Sequence, residues 1–143
     1  GVIHIPVKNE SVIAMKRLGA EKIYNNKYHK LPKQKKLSNK PTVFAISRSH
    51  LNQQTQDFIK QHRADTMAVG SSLKLCLLAE GKIDAYPRFG PTSLWDMAAG
   101  HAILKETGGE IYDFKYRSLS YNPKKILNPD LIALRHKDIR FKI

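Results

Sequence analysis

Short runs of β-branched and aromatic residues alternate with helix-forming segments from Pro41 to the end of the chain. This alternation constrains the fold most, because strands that alternate with helices of about 10–15 residues form layered α/β structures around a largely parallel or mixed sheet. Asn52 is the predicted N-cap of the first helix, and Gly81 and Pro87 are predicted to end the second helix and the third strand. We predict strands at residues 42–46, 66–69, 83–86, 110–114, 116–120 and 131–134, and helices at residues 51–62, 73–80 and 92–107.

The first forty residues lack this alternation. Residues 1–7 and 12–15 are predicted to be two strands joined by a polar turn, and residues 16–40 to be a basic loop with a short strand at 21–24. Because two strands alone are marginally stable, we expect the chain to begin inside a longer protein. We therefore predict that residues 1–40 are remnant strands and a basic loop of an amino-terminal domain, and that residues 41–143 are a carboxyl-terminal α/β domain.

The chain carries a net charge of +13, from 25 basic and 12 acidic residues. Such an excess favours anionic partners, which include nucleotides, nucleic acids and acidic membrane surfaces. Nine of the basic residues fall between Lys16 and Lys40, against a single acid, Glu21. That run has no amphipathic period, so a solvated loop and an anion-binding segment both remain open.

Several classes of protein are excluded by what the sequence lacks. No apolar run approaches the roughly 20 residues that span a bilayer, and no export signal is visible. A single cysteine, Cys76, excludes an internal disulfide and a multi-cysteine zinc site. The sequence contains no Walker-type loop, GxGxxG, GxSxG or HExxH motif. We expect a cytoplasmic protein without those chemistries.

Polar residues follow three of the predicted strands. They are Ser47-Arg48-Ser49-His50, Gly70-Ser71-Ser72-Leu73-Lys74, and the segment from Arg88 to Asp96. Ligands of open α/β sheets gather beyond the carboxyl ends of strands, so we expect the three segments to converge on an anion. Each has a structural alternative: a helix cap, an ordinary helix entry and a surface arginine, respectively.

The stretch from Gly90 to Gly100 joins a turn to a helix, with Thr92 or Ser93 as the predicted N-cap. Asp96 then falls in the first helical turn, where the helix dipole favours a carboxylate. It either caps the helix only, or faces a metal and an anion. The small residues that follow allow another element to pack closely against the helix.

These motifs together resemble those of the inositol monophosphatase-like, lithium-sensitive, magnesium-dependent phosphatases. The resemblance lies in Asp84-Ala85-Tyr86, in Trp95-Asp96-Met97-Ala98-Ala99-Gly100 and in Gly108-Gly109. The segments 47–50, 70–74 and 86–93 are similar to those of bacterial 3′(2′),5′-bisphosphate nucleotidases, which remove a phosphate from adenosine 3′,5′-bisphosphate. The resemblance runs from Gly1 to about Leu134.

The resemblance implies a layered α/β sandwich, made of the carboxyl-terminal domain of that fold and a remnant of the first-domain sheet. It implies that His50, Ser71, Lys74 and Arg88 contact the nucleotide and its non-scissile phosphate, and that Asp96 binds Mg²⁺ at the substrate site. It further implies a role in sulfate assimilation, where the family clears adenosine 3′,5′-bisphosphate. Magnesium prefers oxygen ligands, and such metals activate water and neutralise charge on a phosphoryl group.

The amino-terminal metal-binding motifs of that family, a Gly-x-x-x-Glu-type and an Asp-Pro-Ile/Leu-Asp-Gly-Thr-type element, do not occur in this sequence. Asp96 is therefore the one family metal ligand present, and we expect this chain alone to be inactive. Expected partners are a small-molecule nucleotide and the missing amino-terminal half, with no specific nucleic acid. Association with the inner membrane surface is a further expectation. An inositol or sugar phosphatase and a non-catalytic basic anion-binding fragment remain the alternatives.

Overall fold

The computed structural model of the chain describes residues 1–35, 42–48 and 51–142. Nine strands and three α-helices make up this part of the chain. The strands are β1 Val2–Ile5, β2 Glu10–Met15, β3 Gly19–Tyr24, β4 Lys27–Leu31, β5 Val43–Ile46, β6 Asp65–Ala68, β7 Ala85–Arg88, β8 Glu110–Asp113 and β9 Leu131–Leu134, and the helices are α1 Gln53–His62, α2 Leu73–Ala79 and α3 Leu94–Glu106.

The first sheet is antiparallel, in the order β1-β2-β3-β4. The short strand predicted at residues 21–24 is confirmed within β3, but the basic loop predicted around it is wrong as far as Leu31, because this stretch forms the β3–β4 hairpin. Asn25 and Asn26 make its two-residue turn with φ of 49° and 58°, the left-handed geometry that fits the twist of a hairpin. Residues 36–41 lie outside the described residues, and the domain boundary at 40/41 stays a prediction.

The second sheet is mixed, in the order β6-β5-β7-β9-β8. β5 runs parallel to β6 and β7, whereas β9 is antiparallel to β7 and β8. The predicted α/β class with a mixed sheet is confirmed. Three parallel strands direct their carboxyl ends to one edge, which is where β5 and β7 deliver the polar segments that follow them.

Two strand predictions in this sheet are wrong. Pro87 lies inside β7 instead of ending it. β5 pairs with β7 only through Phe44 and Ala85, so the side of β7 that faces β5 has no strand partner at Pro87. Proline is tolerated there, because its missing N–H is not needed for pairing. Residues 116–120 form no strand, because Tyr116 adopts a left-handed φ of 56° that breaks the extended chain after Asp113.

The helices begin and end close to the predicted residues. Asn52 caps α1 by accepting the Thr55 N–H at 3.0 Å. Gly81 follows the end of α2 with a φ of +71°, which favours glycine. α2 and α3 pack against both sheets, and α1 covers the other side of the second sheet through β7. The layers are therefore sheet, helix pair, sheet and helix, and no helix among the described residues is long and apolar enough to cross a membrane.

Gly100 allows α3 to lie close against α2. A Cβ atom at this position would stand 2.7 Å from the Cβ of the buried Leu75, and closer still to its Cδ1. Leu75 sits in a core that also holds Met97 and Leu104 of α3. The expected close approach to the small residues of this helix is confirmed at Gly100.

We expect Gly100→Ala to lower the free energy of unfolding by about 1–3 kcal/mol, because the new methyl group overpacks the contact with Leu75. Urea unfolding measures this. Helix propensity alone predicts the opposite sign, a gain of about 1 kcal/mol. In a Leu75→Ala background the loss should become smaller, since the contacts with Cγ and Cδ1 are removed, while the contact with the Cβ atom at 2.7 Å remains. A stabilised Gly100→Ala variant would contradict the steric account.

Candidate functional site

A cavity of about 350 Å³ opens where β5 and β7 end and where α2 and α3 begin. All three predicted polar segments contribute to it, so their convergence is confirmed. Its volume falls in the range of small-molecule sites. The polar side chains that line it are those of Ser47, Ser71, Ser72, Lys74, Tyr86, Arg88, Thr92 and Asp96.

Lys74 supplies a buried positive charge, since only 4% of this residue is exposed. Its Nζ donates to the carbonyl oxygens of Val69 at 3.1 Å and Ser71 at 3.0 Å, and lies 4.8 Å from the ring centroid of Tyr86. Among the described residues it has no carboxylate partner. Burial, with the charges of Arg88 and Arg48, lowers the pKa of Lys74 to about 8. An anion entering the cavity would provide the missing counter-charge.

Ser71 lies in the turn that Lys74 holds. Its φ is +50°, a left-handed conformation that few serines adopt. The Lys74 ammonium group donates one hydrogen bond to the carbonyl group of Val69 and one to that of Ser71, at the two ends of this turn. The turn is thus fixed before any ligand arrives, and it presents Ser71 and Ser72 to the cavity.

Arg88 ends β7 and projects into the same cavity. One guanidinium nitrogen, Nη1, lies 3.5 Å from the Ser47 hydroxyl, and Nη2 donates to the carbonyl oxygen of Pro91 at 3.3 Å. The half-buried guanidinium therefore joins the segment after β5 to the turn before α3. A guanidinium presents paired donors that match two phosphate oxygens.

Asp96 both caps α3 and faces the cavity. The Ser93 N–H donates to its Oδ2 at 2.7 Å, which confirms Ser93 as the N-cap. Asp96 also lines the cavity beside Lys74 and Arg88, so the two interpretations of this acid are compatible. Within residues 1–35, 42–48 and 51–142, no group of three histidine, cysteine or acidic side chains stands together to hold a metal ion. A metal role for Asp96 stays a prediction.

His50 lies outside the described residues, so its predicted contact with substrate stays a prediction. Tyr86 lines the cavity but was predicted only as the last residue of the strand at 83–86. Its position two residues before Arg88 places both side chains on one face of β7. Arg48 was predicted as part of the polar segment 47–50, without a role of its own. Trp95 is 69% exposed next to the cavity and does not line it.

The sequence model of the inositol monophosphatase family matches residues 1–141. This chain belongs to that family, as the resemblance of its motifs predicted. The match covers both sheets and all the segments that line the cavity.

Within the family, the chain is similar to proteins named 3′(2′),5′-bisphosphate nucleotidase CysQ. It is 46% identical over 92 residues to the CysQ of Salmonella typhimurium, covering 63% of this chain and 37% of that protein. It is 32% identical over 136 residues to the CysQ of Haemophilus influenzae, covering 93% of this chain and 51% of that protein. The chain thus matches 37% and 51% of the length of these two relatives.

Among solved structures, the crystal structure of CysQ from Bacteroides thetaiotaomicron superimposes with a TM-score of 0.81 at 37% identity. It covers 94% of this chain and 56% of that one. That protein is described as a bacterial member of the inositol monophosphatase family. The predicted layered α/β fold of this family is therefore confirmed.

We expect the contribution of Lys74 to the free energy of unfolding to increase as the pH rises. Below pH 8 the folded chain bears the full cost of burying the ammonium group. Between pH 8 and about 10.4 the folded state is neutral at Lys74, while the unfolded state still binds the proton. From pH 7.5 to 9.5, the unfolding free energy of the unsubstituted chain should therefore rise by about 2 kcal/mol relative to that of Lys74→Met.

Urea unfolding at several pH values measures that difference. Groups that titrate in both proteins contribute equally to the two free energies and cancel from the difference. Lys60→Met is the matched control, since Lys60 is exposed on α1. The difference in unfolding free energy between Lys60→Met and the unsubstituted chain should not change with pH. A pH-independent difference for Lys74→Met would contradict the assignment of a charged, buried Lys74 below pH 8.

Proposed function

We propose that the protein to which this chain belongs is a Mg²⁺-dependent phosphomonoesterase that hydrolyses adenosine 3′,5′-bisphosphate to AMP and phosphate. The observation that carries the proposal is the convergence of Ser71, Lys74, Arg88 and Asp96 on one cavity of nucleotide-compatible size. The names of the CysQ relatives support the same substrate class. We further propose a cytoplasmic or peripheral inner-membrane location, inhibition by lithium and a role in sulfur metabolism.

In this proposal Lys74, Arg88 and Ser71 bind the non-scissile phosphate. Lys74 provides a fixed point charge, because two carbonyl groups hold its Nζ in place. Arg88 provides a fork of donors, positioned by Ser47 and Pro91. Ser71 adds a hydroxyl from a turn that is already formed. Pre-organised donors of this kind hold a charged ligand without losing further conformational entropy on binding.

Asp96 offers a carboxylate oxygen, the donor type that Mg²⁺ prefers. The number of donors does not fit, because the described residues contain no group of three histidine, cysteine or acidic side chains and place no other carboxylate in the cavity. The proposal therefore assigns the remaining metal ligands to the part of the CysQ relatives that this chain does not match. What this chain provides is the binding wall for the nucleotide.

We expect Asp96→Asn in the full-length protein to reduce kcat by at least about 100-fold, because it removes the one carboxylate that the described residues place in the cavity. The Asn amide oxygen can still accept the Ser93 N–H, so the helix cap and the fold should survive. Steady-state phosphate release against magnesium concentration measures the change. Asp57→Asn, an exposed acid on α1, is the control. An unchanged rate and magnesium dependence would overturn this role for Asp96.

We expect the 143-residue chain alone, supplied with Mg²⁺, to release no phosphate from adenosine 3′,5′-bisphosphate, because one carboxylate does not hold the metal. The full-length protein should hydrolyse this substrate in preference to inositol 1-phosphate, since the cavity places several cationic donors beside Asp96. Measurable turnover by the chain alone contradicts the first expectation. A preference for inositol 1-phosphate would favour the inositol phosphatase alternative.

A further inference from the structure

We propose that Arg48 is a specificity-determining residue of this cavity, which selects ligands that carry a second phosphate group. The inference rests on the proposed function and assigns to Arg48 the non-scissile phosphate of a bisphosphate nucleotide. Arg48 follows β5 directly after Ser47, one of the cavity residues.

The first support is where the guanidinium lies. A Cβ atom at Gly70 would stand 2.9 Å from Arg48 Nη2 and 3.4 Å from Nε. The Arg48 side chain therefore crosses from the end of β5 to the turn that carries Ser71, and the absence of a side chain at Gly70 makes room for it. Ser71 lines the cavity, so the guanidinium stands beside the wall that is formed by this turn.

The second support is charge. The charges of Arg48 and Arg88 both lower the pKa of Lys74, so the three cationic side chains lie near one another. Asp96 is the only acid among the described residues that line the cavity. Three positive charges against one negative charge leave a net charge of about +2, which one phosphate monoester with two negative charges neutralises. Because the proposed function assigns the scissile phosphate to the metal beside Asp96, the three cationic side chains are available for the non-scissile phosphate.

The third support is that the donors of Arg48 are uncommitted. Lys74 already donates to two carbonyl groups, and Arg88 already contacts Ser47 and Pro91. Arg48, in contrast, forms no hydrogen bond or ion pair with the part of the chain that the structure describes. It is exposed, so an entering phosphate can take up its paired N–H donors without breaking an existing contact.

The test measures binding to the 143-residue chain by calorimetry, at one ionic strength and with EDTA so that no metal contributes. The two ligands are adenosine 3′,5′-bisphosphate and adenosine 3′-monophosphate, which lacks the second phosphate. We expect Arg48→Gln to weaken binding of the bisphosphate by roughly 10- to 100-fold and of the monophosphate by less than about threefold. The bisphosphate affinity of Arg48→Lys should lie between those of the unsubstituted chain and Arg48→Gln, because lysine keeps the positive charge and lacks the paired donors of a guanidinium.

Arg17→Gln is the matched control. It removes the same charge from an exposed arginine next to Glu106, at the opposite end of α3 from Asp96. Both affinities should stay within about threefold of the unsubstituted chain, since exposed charges more than a Debye length away are screened. Equal losses for both ligands in Arg48→Gln, or an unchanged preference for the bisphosphate, would overturn the role of Arg48 and leave the proposed function standing. No preference in the unsubstituted chain would overturn both.

Gly70→Ala tests the position of the guanidinium separately. The methyl group would displace Arg48 Nη2 while the charge remains, and the exposed side chain can move without unfolding the protein. We expect a roughly three- to tenfold loss of bisphosphate affinity and no further loss when Gly70→Ala is added to Arg48→Gln. Additive losses would show that the alanine acts through another contact and would overturn the placement of Arg48 against this turn.

Discussion

The close contact between Gly100 of α3 and Leu75 of α2 determines where the cavity can form. Leu75 follows Lys74 directly, and Gly100 lies four residues, about one turn, after Asp96. Helices that meet through a glycine bring these two charged residues to the same 350 Å³ cavity. A larger residue at position 100 would separate the helices and with them the cation from the carboxylate. Glycine lowers helix propensity here, so packing between the helices outweighs local preference at this position.

The interior of the cavity carries costs that the rest of the fold must offset. Lys74 is buried without a carboxylate among the described residues, and Ser71 holds a left-handed backbone. The carbonyl groups of Val69 and Ser71 and the ring of Tyr86 compensate the ammonium only in part, which is why its pKa falls to about 8. Both costs concentrate at one turn. A binding site that is formed in advance of its ligand accepts such costs, because the bound anion then reduces them.

The sequence allowed the second sheet and the cavity to be predicted for one physical reason. Parallel strands place their carboxyl ends together, so the polar segments after β5 and β7 had to meet. Only the strand at residues 21–24 of the β3–β4 hairpin was predicted, because lysines interrupt the apolar alternation of the hairpin. Lys22 faces inward all the same, where Glu10 at 2.8 Å and Glu80 at 3.3 Å neutralise it. Such long-range ion pairs cannot be read from local pattern, and neither can the contact of Arg48 with Gly70, two residues that are far apart in sequence.

Asp96 shows why local sequence could not decide between a structural and a functional interpretation. Its Oδ2 accepts the Ser93 N–H, which fixes the carboxylate at the start of α3. That same bond orients the side chain, so that the carboxylate lines the cavity with its other oxygen without a partner among the described residues. A cap holds an acid in one rotamer, and a site needs an acid that does not move when a cation or phosphate arrives. The cap therefore also supports the site, because the interaction at the start of the helix positions the carboxylate for its proposed role in metal binding.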